Sequence, residues 1–334
     1  MSNADRIENT VTGAATVSPN PYVFLVGCPR SGTTLAKRMV DAHPEIAVTR
    51  ETHWITRFFR KRIGVKKNGQ VTPALLDELL AYKRFPHLHL DDDDVRAIVR
   101  DNPAMQYSEF VSRVFDLYGR AEGKRLVGDK TPPYVRYIGM LSEMWPQSRF
   151  VHIIRDGRDV CLSMLRWRMA DRAAGRRSTW KEDPVTTTAL WWEWLIRVGR
   201  EGGADLGPDR YMEMHYEALV ADPPAELRGL CDFLNLAFDE SMLRYHEGKT
   251  SSDSGLSANA AWLPPTQGLR DWRTQMSEED VEKFEAAAGS MLDELGYERG
   301  CPNPSQSAIA HANDLRERFD GKPLPSTWPS ATVR

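Results

Sequence analysis

The chain lacks any long apolar run: no stretch of its 334 residues approaches the roughly eighteen consecutive apolar positions of a membrane span. Its first twenty residues, MSNADRIENTVTGAATVSPN, have neither the basic start nor the apolar core of a secretion signal. Residues 1–20 are therefore read as a flexible leader. Cysteine is scarce and dispersed. Cys28, Cys161, Cys231 and Cys301 form no CxxC pair, which argues against a disulfide framework or a zinc site and for reduced thiols. From these absences a cytoplasmic setting is expected. Excess charge is missing as well: 44 basic against 47 acidic residues leave a formal charge of -3. Without a global positive field, neither nucleic acid nor an anionic membrane surface is an expected partner, and any anion site has to be local. No internal repeat and no strong linker divide the chain, so one domain is expected over 21–300 and a Pro-rich, loosely packed tail over 301–334.

What the sequence does have is an alternation of strand and helix signals. The continuously apolar run Tyr22 to Val26 reads as a buried parallel strand, followed by the glycine-rich GCPRSGTT and a helix from near Thr33 that stops before Pro44. Residues 52–121 read as helices with polar interruptions. KRLVGD (124–129), RFVHIIRD (149–156) and RYMEMHY (210–216) read as further strands, with helices between them. The expected fold class is α/β: a P-loop-like three-layer sandwich with a central, mostly parallel sheet and helices on both faces. Ligands of such sheets bind beyond the carboxyl ends of the strands. The acidic run Asp91 to Asp94, beside His87 and His89, is read as a helix cap and first turn rather than a metal site. Ser277 and Asp280 have capping spacing before another helix. Trp191, Trp192 and Trp194 are read as core packing.

A glycine-rich turn between a buried strand and a helix points backbone N–H groups at an anion, and the helix N-terminus adds positive partial charge. In GCPRSGTT the Walker lysine is absent, because Thr33 occupies its position; the loop's cation comes earlier, at Arg30. A second anion-seeking group is IIRDGRDVCLSM, where Arg155 ends a strand, Gly157 allows the turn and Ser163 follows on the outgoing helix. Two anion sites on one sheet edge suit a nucleotide with separated phosphates. A small-molecule kinase, or a non-catalytic nucleotide-binding protein, remains an alternative on the same fold.

Together these motifs resemble the sulfotransferases that use 3'-phosphoadenosine-5'-phosphosulfate (PAPS), nearest to the tyrosylprotein sulfotransferases and related bacterial enzymes. PRSGTT resembles the family's phosphosulfate loop; Arg155 with Ser163 resembles its 3'-phosphate motif; VTRETHWI, GDKTPP and HYEALV resemble later blocks. The resemblance implies a single sulfotransferase domain moving a sulfuryl group from PAPS, by in-line displacement, to a hydroxyl or, less favoured, an amine, without a metal. It implies that Arg30, Ser31, Gly32, Thr33 and Thr34 hold the 5'-phosphosulfate, that Arg155 and Ser163 hold the 3'-phosphate, and that Tyr216 lies near the adenine. Glu51 matches the catalytic carboxylate and Lys130 the catalytic lysine, with Arg30 stabilising charge and His53 the alternative base. Ser257, Gln267 and Gly268 match further cofactor positions, although QGLRDWR carries Arg270 where the family block has its second glycine. Trp54, Phe58, Pro132 and Pro133 are expected at the acceptor. His53 stands where the tyrosylprotein branch has an arginine, which argues against a peptide tyrosine, as the missing signal anchor argues against a Golgi enzyme. The expected acceptor is a small molecule, glycan or lipid; a homodimer is left open.

Overall fold

Five short segments pair in parallel to form one sheet: β1 (Val23–Gly27), β2 (Ile46–Thr49), β3 (Leu126–Lys130), β4 (Arg149–Ile154) and β5 (Tyr211–His215), in the order β2-β3-β1-β4-β5. This computed structural model describes residues 18–102, 104–167, 170, 178–247 and 270–319. Strand β1 is central, and Val23, Phe24, Leu25 and Val26 are each fully buried. That is why the run is continuously apolar: a parallel strand covered on both faces has no solvent side to make polar. Its alternate residues feed two cores. Phe24 and Val26 join one cluster with Phe110, Val114, Trp192 and Phe284, while Val23 and Leu25 join another with Met39, Leu227 and Leu230. Each large side chain so buried contributes roughly 1.5–3 kcal/mol.

The helices that supply these partners lie on both faces of the sheet. On the first face are α5 (Tyr107–Ala121), α8 (Pro184–Gly203) and α12 (Glu278–Glu294). On the second are α1 (Thr33–Asp41) and α10 (Pro223–Leu234). The α/β sandwich expected from the sequence is the fold observed. Trp191 and Trp192 are buried and Trp194 packs against the same core. Asp91 caps α4 (Asp92–Asp101), its side chain accepting from the N–H groups of Asp93 and Asp94, and Ser277 caps α12 through the Asp280 N–H.

Two expectations need correction. Strand β2 was not expected, because its four residues sit inside a segment whose neighbours read as helical; pairing with β3, Ala47 opposite Val127, makes it a strand. Residues 301–334 were expected to be a loose tail, yet Gln306–Arg318 form a helix, α13, capped by Ser305 and burying Ala312 and Leu315 against the first core. Strand limits also shift: β4 ends at Ile154, so Arg155 and Asp156 fall just beyond it, and Asp156 caps α7 (Gly157–Leu165).

Candidate active site

Every principal candidate side chain follows the carboxyl end of a strand. Arg30 to Thr34 follow β1, Glu51 follows β2, Lys130 ends β3, Arg155 follows β4 and Tyr216 follows β5. The topology therefore brings to one edge residues that lie nearly two hundred positions apart.

The turn after β1 is set by backbone geometry. Arg30 adopts φ 80° and Gly32 φ 85°, the left-handed region, and α1 begins at Thr33. A Cβ on Gly32 would come within 2.2 Å of Tyr216 Cδ2, so glycine is required for the ring to lie against the loop. The first N–H groups of α1 have no acceptor within their own helix and, with its dipole, form an anion cradle. Ser31 is fully buried and its Oγ makes no hydrogen bond.

Glu51 is held by two cations and a histidine ring. Lys130 Nζ lies 3.0 Å from its Oε1, while His53 Nε2 and Arg84 Nη1 lie 3.1 and 3.3 Å from Oε2. Burial by itself pushes the Glu51 carboxyl up, but the His53 hydrogen bond and the Lys130 ammonium outweigh it and hold the group well below the usual carboxylate range. Behind the pair, the Thr52 N–H donates to Thr131 Oγ1 at 3.0 Å, and Thr49 Oγ1 donates to Asp129 Oδ2 at 3.0 Å. Asp129 is fully buried, and burial raises its carboxyl to about 6 against the pull of hydrogen bonds from Thr131, Thr52 and Thr49.

On the other side of the loop, Arg155 and Ser163 are both buried, and Arg30 Nε donates to Ser163 Oγ at 2.8 Å. The Arg155 guanidinium carbon stands 4.3 Å from the centroid of the Tyr216 ring, and its Nη2 lies 3.4 Å from Asp159 Oδ2. Arg155 Nε is buried without a hydrogen-bond partner. An orphaned buried donor is costly unless something accepts from it, which makes this a second place suited to an anion.

The structure thus brings Glu51, Lys130 and His53 together, and Arg30, Ser31, Gly32, Thr33, Thr34, Arg155, Ser163 and Tyr216 together beside them. Ser257, Gln267 and Gly268 lie outside the described residues. Trp54 and Phe58 are corrected: they are 0% and 2% exposed, with Trp54 packed on Phe85 and Phe58 on Tyr82, so they belong to the core and not to an acceptor surface. Their one-turn spacing marks the inward face of α2 (Trp54–Lys61). Pro132 is buried and Pro133 half-buried, directly after Lys130 and Thr131. Sequence reasoning missed Arg84, which reaches Glu51 across 33 residues from a turn that carries no motif. It also missed Asp129, whose signal was present in the quoted GDK, since an acidic residue inside an apolar strand needs partners.

The chain belongs to the sulfotransferase family, whose model matches residues 21–240. It is similar to protein-tyrosine sulfotransferase 2 of Gallus gallus, 28% identical over 285 residues that cover 83% of this chain and 70% of that protein. The same identity and coverage hold for protein-tyrosine sulfotransferase 1 of Homo sapiens. Among solved structures, the sulfotransferase domain of the Synechococcus PCC 7002 olefin synthase shares the fold with a TM-score of 0.57 at 24% identity, covering 84% of this chain and 96% of that one. The sulfotransferase domain from the curacin biosynthetic pathway does so with a TM-score of 0.54 at 22% identity, covering 83% and 98%. The protein is accordingly an enzyme of sulfuryl transfer with tyrosylprotein-type and bacterial relatives. The cytoplasmic expectation is corrected: it was drawn from absences, which fix no compartment, and the relatives the chain resembles are protein-tyrosine sulfotransferases. No helix among the described residues is long and apolar enough to cross a membrane.

Proposed function

We propose that the protein moves the sulfuryl group of PAPS to a hydroxyl acceptor, releasing adenosine 3',5'-bisphosphate. The observation that carries this reading is the Glu51–Lys130 pair standing beside two separate anion-seeking clusters on one sheet edge. The residues present fit such a nucleotide. The loop from Arg30 to Thr34 suits the 5'-phosphosulfate, with the buried Ser31 Oγ awaiting a partner. Arg155 and Ser163 suit the 3'-phosphate, and Tyr216, against both Gly32 and Arg155, suits the nucleoside.

PAPS, when bound, supplies an activated sulfuryl group that carries less charge than a phosphoryl, so arginine, lysine and N–H donors suffice for it without a metal. Glu51 takes the acceptor's hydroxyl proton, and a base so positioned contributes roughly 10² to 10⁴ in rate. Its depressed affinity for protons reflects the cations on it. Moving Lys130 toward developing negative charge on the departing oxygen frees Oε1 and raises the basicity of Glu51 as the base is needed. Arg84 and His53 stay on Oε2 and fix the direction of Oε1.

The names of the relatives support a phenolic hydroxyl of the tyrosine type as acceptor, despite His53. Incubation with labelled PAPS and, in parallel, tyrosine-containing peptides, a free phenol, a sugar and a primary amine, followed by mass spectrometry for added SO₃, tests it. Transfer to the phenolic hydroxyls is expected. Transfer to the amine alone, or turnover of magnesium ATP with no transfer to any hydroxyl, overturns the reading.

A further inference from the structure

The peptide that joins Arg155 to Asp156 is gripped at both of its polar atoms by side chains. The Arg155 carbonyl accepts from Trp192 Nε1 of α8 at 3.1 Å, and the Asp156 N–H donates to Glu217 Oε1 at 2.9 Å. β4 has ended at Ile154, so these side chains, and not the sheet ladder, set the plane of the peptide from which Arg155 projects.

Glu217 is held in its turn. Its Oε2 accepts from the Tyr297 hydroxyl at 2.9 Å, and that hydroxyl also lies 3.3 Å from His215 Nδ1. Tyr297 comes from 80 residues further along the chain. It stands just past α12, where Gly296 at φ 75° turns the backbone and the Tyr297 N–H donates to the Leu292 carbonyl at 2.9 Å. Burial first, and then the Glu217 charge, push the Tyr297 hydroxyl above its ordinary value, so it stays protonated and donates. A second route runs from the same turn to Asp156: the Gly300 and Cys301 N–H groups donate to Glu285, which pairs with Arg158, and Arg158 pairs with Asp156.

What this bracing fixes is a relationship inside the nucleotide site. Arg155 follows β4 and Tyr216 follows the adjacent β5, and the guanidinium carbon of the one stands 4.3 Å from the ring centroid of the other. Glu217, the next residue after Tyr216, ties the two turns together with a single carboxylate. We propose that Glu217 and Tyr297 are positioning residues for the nucleotide: Glu217 aims Arg155 by holding the Asp156 N–H, and Tyr297 holds Glu217. This rests on the nucleotide assigned under Proposed function, with Arg155 on the 3'-phosphate. Neither residue touches the nucleotide; both act through Arg155.

Tyr297→Phe removes one hydroxyl and opens no cavity, so it separates position from packing. The full chain is titrated by calorimetry with adenosine 3',5'-bisphosphate and with adenosine 5'-phosphate, as wild type, Tyr297→Phe, Glu217→Gln and Glu217→Ala, and transfer is followed with PAPS varied. Wild type is expected to bind the bisphosphate more tightly. Tyr297→Phe should weaken the bisphosphate about fivefold and the monophosphate less than about twofold, and should raise KM for PAPS more than it lowers kcat. Glu217→Ala should lose about tenfold or more for the bisphosphate, with Glu217→Gln, which keeps an acceptor for the Asp156 N–H, between it and wild type. If wild type discriminates and the variants lose as much for the monophosphate, or lose nothing for either, Glu217 and Tyr297 do not aim Arg155. If wild type fails to discriminate, the two-phosphate reading fails and this assignment with it.

Discussion

Lys130 Nζ lies 3.0 Å from Glu51 Oε1, across the ends of two adjacent parallel strands. Register sets this distance: Thr49 stands opposite Asp129, Lys130 is the next residue on β3, and Glu51 lies two beyond the end of β2. The Thr52 N–H to Thr131 Oγ1 bond closes the ends together. The pair is thus built into the sheet rather than held by a free loop.

Lys130→Met should lower kcat by about 10² or more, since a preorganised charge at the leaving group is lost. It should also move the acidic limb of the kcat/KM pH profile upward. Lys130 is one of the groups holding Glu51 below the usual carboxylate range, so removing it raises that carboxyl's affinity for protons. A limb that stays in place or moves down would show that Lys130 does not tune Glu51.

Gly32→Ala should weaken binding of adenosine 3',5'-bisphosphate by at least about tenfold, because the residue's φ of 85° and the Tyr216 ring 2.2 Å from the new Cβ both oppose it. Calorimetry on the variant gives the answer, with the double variant Gly32→Ala, Tyr216→Ala as a comparison. Relief of the clash alone should not restore full affinity, since the strained backbone remains.

Asp129 gives a stability signature. Its carboxyl is raised from 3.8 to about 6, so the neutral form is favoured in the fold. The corresponding stability is fully present below pH 3.8 and is lost as pH rises through about 6, a change on the order of 3 kcal/mol. Asp129→Asn does not titrate there. Differential scanning calorimetry should find the Tm of Asp129→Asn, relative to wild type, higher at pH 8 than at pH 4 by several degrees.

Arg158→Met should lower the unfolding free energy by about 3–5 kcal/mol, seen as a lower denaturant midpoint. The substitution leaves Asp156 and Glu285 without the buried guanidinium between them. Glu285 also accepts from the N–H groups of Gly300 and Cys301 and pairs with Arg299, so the turn after α12 should loosen with it.

The parts of this enzyme legible in its sequence are those encoded locally. β1 with its glycine turn could be read because burial on both faces leaves an unbroken apolar run, and Arg155 with Ser163 because they flank a strand-to-helix turn, whereas Glu51 and Lys130 were picked out only by the resemblance of their blocks to the sulfotransferases. β2 escaped because four residues carry too little periodicity, and its identity comes from pairing with β3. Arg84 and the Arg158–Glu285 pair escaped for a related reason, being contacts across 33 and 127 residues that tertiary packing alone creates. Trp54 and Phe58 were placed at the acceptor from closeness to Glu51 in the sequence. The helix that carries them turns both inward, and local spacing does not tell a pocket face from a core face.

The central claim is that Glu51 is the base of a sulfuryl transfer whose nucleotide site stands apart from it. Single-turnover transfer of labelled sulfuryl from PAPS to a phenolic acceptor, by wild type and Glu51→Gln, tests this most directly. The variant should bind adenosine 3',5'-bisphosphate within about twofold of wild type and transfer roughly 10² to 10⁴ times more slowly. Transfer by Glu51→Gln at the wild-type rate would contradict the account.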